Sequence, residues 1–206
     1  YHAKTDNKMN SVEVNLGVVG PASYAHETQD FIHDLRGIET FQGWDNQLRN
    51  ELGIQVVYEH KHRLYKNTLY NNISYDFITH AGGSVGNVAT YGNLGAEYRI
   101  GWNLPDDFGT SALRPGGDNS APGNSDPRLR YEGRGIHGFV SIDARAVLHN
   151  IFLDGNTFTD SHSVDKEYFV ADAAIGVSAI YDRWKISYAH VHRTKEFRSQ
   201  KKPQRF

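Results

Sequence analysis

A two-residue alternation that runs well past the length of an ordinary strand is the strongest constraint on this chain. From Asn87 to Asn103, Val88, Thr90, Gly92, Leu94, Ala96, Tyr98, Ile100 and Trp102 fall on one parity. Asn87, Ala89, Tyr91, Asn93, Gly95, Glu97, Arg99, Gly101 and Asn103 fall on the other. Successive strand side chains point to opposite faces, so this pattern predicts one strand with an apolar face and a polar, charged face. Its length of about 17 residues exceeds the roughly 5–6 usual in globular sheets. Parity also alternates over 136–148 and 169–181, and in shorter or noisier form over 12–18, 54–64, 69–79 and 184–188. About seven or eight strands are expected, most joined by short turns such as Tyr181-Asp182-Arg183, with Gly83-Ser84-Val85-Gly86 read as a further turn.

Strands this long fit an antiparallel transmembrane β-barrel of the outer-membrane type, whose strands need roughly 9–11 residues to cross at a tilt. Tyr98, Trp102, Tyr181 and Trp184 near strand ends suit an interfacial aromatic girdle. A large soluble β-sandwich is the competing reading, but closure into a barrel solves the edge problem more simply. The low hydrophobic content of 38% suits a barrel, which hides its apolarity by alternation. No stretch approaches the roughly 18 consecutive apolar residues of a membrane helix.

Twenty-two basic against 24 acidic side chains leave a formal charge of −2, which argues against nucleic acid as a partner. With no cysteine, disulfide frameworks and thiolate metal sites are excluded. The chain starts at Tyr1 with no leader-like segment, and the basic, non-alternating run Arg198–Phe206 reads as a cut. At 206 residues it is expected to be a single barrel domain spanning 1–206, truncated at both ends.

Two segments interrupt the alternation. Asp106–Arg130, rich in Gly, Pro, Asn, Asp and Ser, reads as a long flexible loop. Gly20–Glu51 is predicted to hold a short loop helix near 24–36, with Ser23 as N-cap and Gly37 as its left-handed stop. Tyr24, Thr28, Phe31 and Leu35 form a stripe expected to dock the helix on the barrel. Gln29 and His33 lie four apart and share a face. A second short helix is expected within Gln42–Glu51. A helical histidine is more often structural than catalytic. Neutral imidazole is nonetheless the group best suited to take a proton from water near neutral pH. Ser/His nucleophilic catalysis is the alternative chemistry, but Gly82-Gly83-Ser84-Val85-Gly86, which has the letters of G-x-S-x-G, is read as a turn. His60 and His62, His190 and His192, and His80 and His137 are read as wall residues. Glu39, Asp45 and Glu51 supply oxygen ligands of the kind a hard cation takes.

Several runs carry a family resemblance: Leu16-Gly17-Val18-Val19-Gly20-Pro21-Ala22-Ser23, Thr28-Gln29-x-x-x-His33, Gln42-Gly43-Trp44-Asp45-Asn46-Gln47-Leu48 and His80-Ala81-Gly82-Gly83-Ser84-Val85-Gly86-Asn87. Arg99–Gly109 and Arg193-Thr194-Lys195-Glu196-Phe197 add to them. In this order they resemble the lipid A deacylase (LpxR) family of Gram-negative outer membranes. The resemblance implies a twelve-stranded barrel that removes the 3′-linked acyloxyacyl chain of lipid A by ester hydrolysis. It implies an active site between the wall and a loop helix, facing the outer leaflet, and a divalent cation, usually calcium. His33 matches the family's catalytic histidine and Gln29 the partner one turn before it. Glu39, with Asp45 second, is expected to help hold the metal. The substrate-binding residues are not assigned. Expected partners are lipid A or lipopolysaccharide and the outer-membrane lipids, with the protein a monomer. The alternative is a non-enzymatic barrel, a pore or adhesin. The chain departs from the family in lacking its N-terminal Asn-Asp segment, for which Thr5-Asp6-Asn7 is no match, and its closing strand. It is therefore expected to leave the barrel open.

Overall fold

A computed structural model describes residues 1–110 and 133–205. Seven long strands, β2 (Lys8–Val19), β3 (Glu51–Tyr70), β4 (Ile73–Gly86), β5 (Ala89–Trp102), β6 (Arg134–Asn150), β7 (Phe169–Tyr181) and β8 (Trp184–Arg193), form the wall. Two short ones, β1 (His2–Lys4) and β9 (Gln204–Arg205), lie at its edges. Every neighbour is antiparallel and next in sequence, from β1 across to β9. The sheet does not close on itself among the described residues. Asn71 and Asn72, both at positive φ, make the two-residue hairpin between β3 and β4, where the twist of the strands demands left-handed residues.

Parity sorts the side chains as a membrane demands. On β3 the buried set is Gln55, Val57, Glu59, Lys61 and Arg63, while Leu52, Ile54, Val56 and Tyr58 are exposed. On β6, His137, Phe139 and Asp143 are buried and Ile136, Val140, Ile142 and Leu148 exposed. The apolar face looks out and the charged face looks in, the reverse of a water-soluble sheet.

Charge on the inner face is satisfied by pairing. Arg99 is fully buried between Asp76 and Asp107, both also fully buried. It donates to Asp76 through Nε at 2.9 Å and Nη2 at 2.5 Å, and through Nη1 to Asp107 Oδ1. Lys185 Nζ reaches the other Asp107 oxygen at 2.9 Å. Arg63 donates to Asp106 Oδ1 at 2.8 Å and stacks over the Phe108 ring at 5.2 Å. A second network joins four strands. His80 Nε2 lies 2.8 Å from Asp143 Oδ2, and Arg145 and Arg193 converge on Asp172 at 2.6–2.9 Å.

Three expectations are corrected. Residues 106–110 are no flexible loop: Leu104, Asp107 and Phe108 are buried against the inner face, because the arginines need those carboxylates there. The remainder of that predicted loop, 111–130, lies outside the described residues. Gly83–Gly86 is not a turn, since β4 continues through Gly86 and Ser84 pairs with Tyr91. Only residues 87 and 88 reverse the chain. The strand predicted over 87–103 is shorter, Ala89–Trp102.

The two faces should tolerate opposite changes. Arg99→Met removes the guanidinium shared by Asp76 and Asp107, leaving them to Arg63 and Lys185, and is expected to cost about 3–5 kcal/mol. Ile142→Arg on the apolar face should cost about 2–4 kcal/mol in lipid. Urea titration of the folded protein in lipid vesicles measures both; an Arg99→Met midpoint equal to wild type would contradict this packing.

Candidate active site

The segment between β2 and β3 leaves the wall through a glycine that admits no substitute. Gly20 has φ +96°, and a Cβ there would sit 2.6 Å from the Arg49 carbonyl carbon. A 3-10 turn, Pro21–Ser23, leads into helix α1 (Ala25–Arg36). Ser23 is not the N-cap; Tyr24 holds that position at φ +53°, and Ser23 Oγ instead donates to Gly20 O at 2.7 Å. Gly37 ends the helix in the left-handed region, and the Ile38 amide closes back on His33 O at 2.9 Å.

The expected docking stripe points the wrong way. Tyr24, Phe31 and Leu35 are 68%, 66% and 74% exposed. The half-buried face carries His26, Gln29, Asp30 and His33. What covers it is the chain's own return segment. The Trp44 ring stacks on His26 at 5.0 Å between centroids, and the Phe41 ring meets His33 edge-on at 4.8 Å. His26 Nε2 also lies 3.0 Å from Asp30 Oδ2. A polar helix face thus wins the loop because aromatic rings can stack on imidazoles.

His33 and Gln29 share that face, as expected. His33 Nδ1 lies 2.7 Å from the backbone oxygen of Glu39. A carbonyl only accepts, so Nδ1 carries the hydrogen and the neutral ring keeps its free lone pair on Nε2. Glu39 therefore touches His33 through its backbone, while its carboxylate is exposed. Asp45 is exposed within the second expected helix, which is a single 3-10 turn, Trp44–Asn46. Among the described residues no group of three or more His, Asp or Glu could hold a metal ion. Glu39 and Asp45 alone do not complete a calcium shell of six to eight oxygens.

Sequence reasoning missed Phe41, Trp44 and the His26–Asp30 pair. The i, i+4 spacing of His26 and Asp30 was the available signal. It also missed a polar hub where the loop returns to the wall. Asn87 donates to Glu51 Oε1 at 2.7 Å, and Asn156 and the Thr157 amide donate to Glu51 Oε2 at 3.0 and 2.9 Å. Beside it, Thr157, His149 and Asp154 stand in hydroxyl–imidazole–carboxylate order at 3.3 and 3.4 Å. The Asn87 carbonyl lies 2.9 Å from the same His149 Nε2, which makes that nitrogen a donor unable to take a hydroxyl proton. The arrangement is structural.

The family profile described as outer membrane protein LpxR matches residues 1–206. The chain belongs to the LpxR family. A solved structure, LpxR from Salmonella typhimurium, superposes with a TM-score of 0.81 at 19% sequence identity. The match covers 98% of this chain and 66% of that one, so the chain spans just under two thirds of that LpxR. No curated protein sequence matches. The superposition identifies the polar-inside sheet as a run of LpxR barrel wall, and the family description makes this an outer-membrane protein.

Glu51 lies at the loop end of β3, bonded by loop amides. Burial pushes its carboxyl up, but hydrogen bonds from Asn156, Asn87 and the Phe158 and Thr157 amides outweigh it and hold the group below its ordinary range. A depressed folded value stabilises above the unfolded pKa, and that stability is lost as pH falls through the folded value. Acidification is therefore expected to free residues 156–158 from β3. A fluorophore on a Phe158→Cys variant of this cysteine-free chain would report it. Glu51→Gln should abolish the transition, and a transition unchanged in that variant would contradict the assignment.

Proposed function

We propose that the protein is a lipid A 3′-O-deacylase whose general base is His33. The observation that carries the reading is the hydrogen bond from His33 Nδ1 to Glu39 O, which in the neutral ring puts the free lone pair on Nε2. Membership of the LpxR family supports this reading, and the resemblance carried by the sequence brings lipid A and its 3′ ester. In this account Nε2 takes a proton from a water as its oxygen attacks the ester carbonyl. The tetrahedral intermediate then collapses, the C–O bond to the sugar breaks, and His33 returns the proton to the departing 3′ oxygen. An acyloxyacyl carboxylic acid and a free 3′-hydroxyl result. Gln29, one turn away on the same face, orients the water or the imidazole. The site faces the outer leaflet, where lipid A resides, and the protein works as a monomer.

The family resemblance brings a divalent cation, probed as calcium, with Glu39 and Asp45 as candidate ligands. The described residues do not complete such a site, so no step here passes through a metal. The pore reading is weaker, because Leu104, Asp107 and Phe108 occupy the inner face that a pore would keep open.

Full-length protein in detergent should remove the 3′ acyloxyacyl mass from hexa-acylated lipid A, read by mass spectrometry. His33→Ala should slow this about 10²–10⁴-fold, the usual worth of a general base. Gln29→Ala should cost less, and a chelator should abolish turnover. Intact lipid A from folded, calcium-supplied protein would overturn the deacylase, and full activity in His33→Ala would overturn the base.

A further inference from the structure

The hub around Glu51 does something that the reaction above leaves unused: it holds both feet of the α1 segment. Asn156, far along the chain in the loop after β6, brackets the backbone of Arg49. Its Oδ1 accepts from the Arg49 amide at 2.8 Å, and its Nδ2 donates to Arg49 O at 2.9 Å and to Glu51 Oε2 at 3.0 Å. One residue on, Asn50 Oδ1 accepts from the Ala22 amide at 2.7 Å, tying the outgoing foot to the returning one. Gly20 packs against the Arg49–Asn50 peptide with no room for a side chain. Glu51 is in turn fixed by Asn87, whose side chain also donates to Leu52 O and accepts from the Ile54 amide.

The rest of the segment is built differently. The half-buried face of α1 packs on its own return segment through Trp44 and Phe41, and its apolar face is exposed. Helix and return segment therefore form one packed unit, joined to the wall at its feet. A neutral amide bracketing a peptide on one side and a carboxylate on the other is a directional fastening, since each partner has one good geometry.

We propose that Glu51 and Asn156 are positioning residues that set the pose of His33 by fastening the α1 segment to the wall. The assignment rests on the deacylase reading only for the consequence at His33; the fastening stands on its own geometry. Asn156→Ala removes both Arg49 bonds and one donor to Glu51. Asn156→Asp sets a second carboxylate against Glu51. Glu51→Ala removes the acceptor shared by Asn87, Asn156 and the Thr157 amide.

The test is hydrogen–deuterium exchange of the full-length protein in detergent, run beside lipid A turnover. Asn156→Ala and Asn156→Asp should speed exchange across residues 20–49 about tenfold, with β6 and β7 unchanged. Turnover in these variants and in Glu51→Ala should fall about tenfold in kcat with KM unmoved. Wild-type exchange across 20–49 in Asn156→Ala would overturn the proposal. So would loosening spread evenly over β6 and β7, or wild-type exchange across 20–49 in Glu51→Ala. Localised exchange in a protein that leaves lipid A intact would support the fastening and overturn the deacylase reading instead.

Discussion

The fold depends on Arg99 being held between Asp76 and Asp107. A membrane wall must turn its apolar side chains outward, so its polar ones face each other across the inner side. A guanidinium buried there costs several kcal/mol in lost hydration unless carboxylates meet it in good geometry. Asp76 arrives from the neighbouring strand, and Asp107 arrives from the chain just after β5. Meeting that need pulls residues 104–110 onto the inner face and brings Lys185 and Arg63 with them. The packing that looks like a plug is thus a consequence of where the charges had to go.

At the loop end of the wall the same logic is carried by uncharged partners. Glu51 is surrounded by two asparagines and two backbone amides rather than by arginines. Hydrogen bonds of this type fix direction more than they add strength. That suits the base of a helix that presents one imidazole in the proposed reaction. The imidazole is then set at close range by a backbone carbonyl, which decides which nitrogen is free.

The wall was legible in the sequence because a strand's side-chain period is two, and an alternation over 13 or more residues has few other causes. His80, His137, Glu97 and Arg99 all fall on the inner face their parity indicated. Residues 106–110 were misread because Gly, Pro and Asp content reports turn chemistry, and says nothing about a buried arginine waiting for a carboxylate. The outward face of α1 was misread because a helical stripe shows which residues share a side, and does not show what lies opposite. Gln29 and His33 were found by spacing and resemblance. Glu51, Asn87 and Asn156 were out of reach because their contacts join positions 36 to 105 residues apart, and a single asparagine carries no local signal.

The proposed reaction requires lipid A to sit beside His33. A photoreactive benzoylphenylalanine in place of Phe41, whose ring already contacts His33, tests it in intact outer membranes. A covalent lipid A adduct at position 41, detected by mass spectrometry and competed by added lipid A, is the expected result. A folded protein that crosslinks there only to phospholipid, or to nothing, would contradict it.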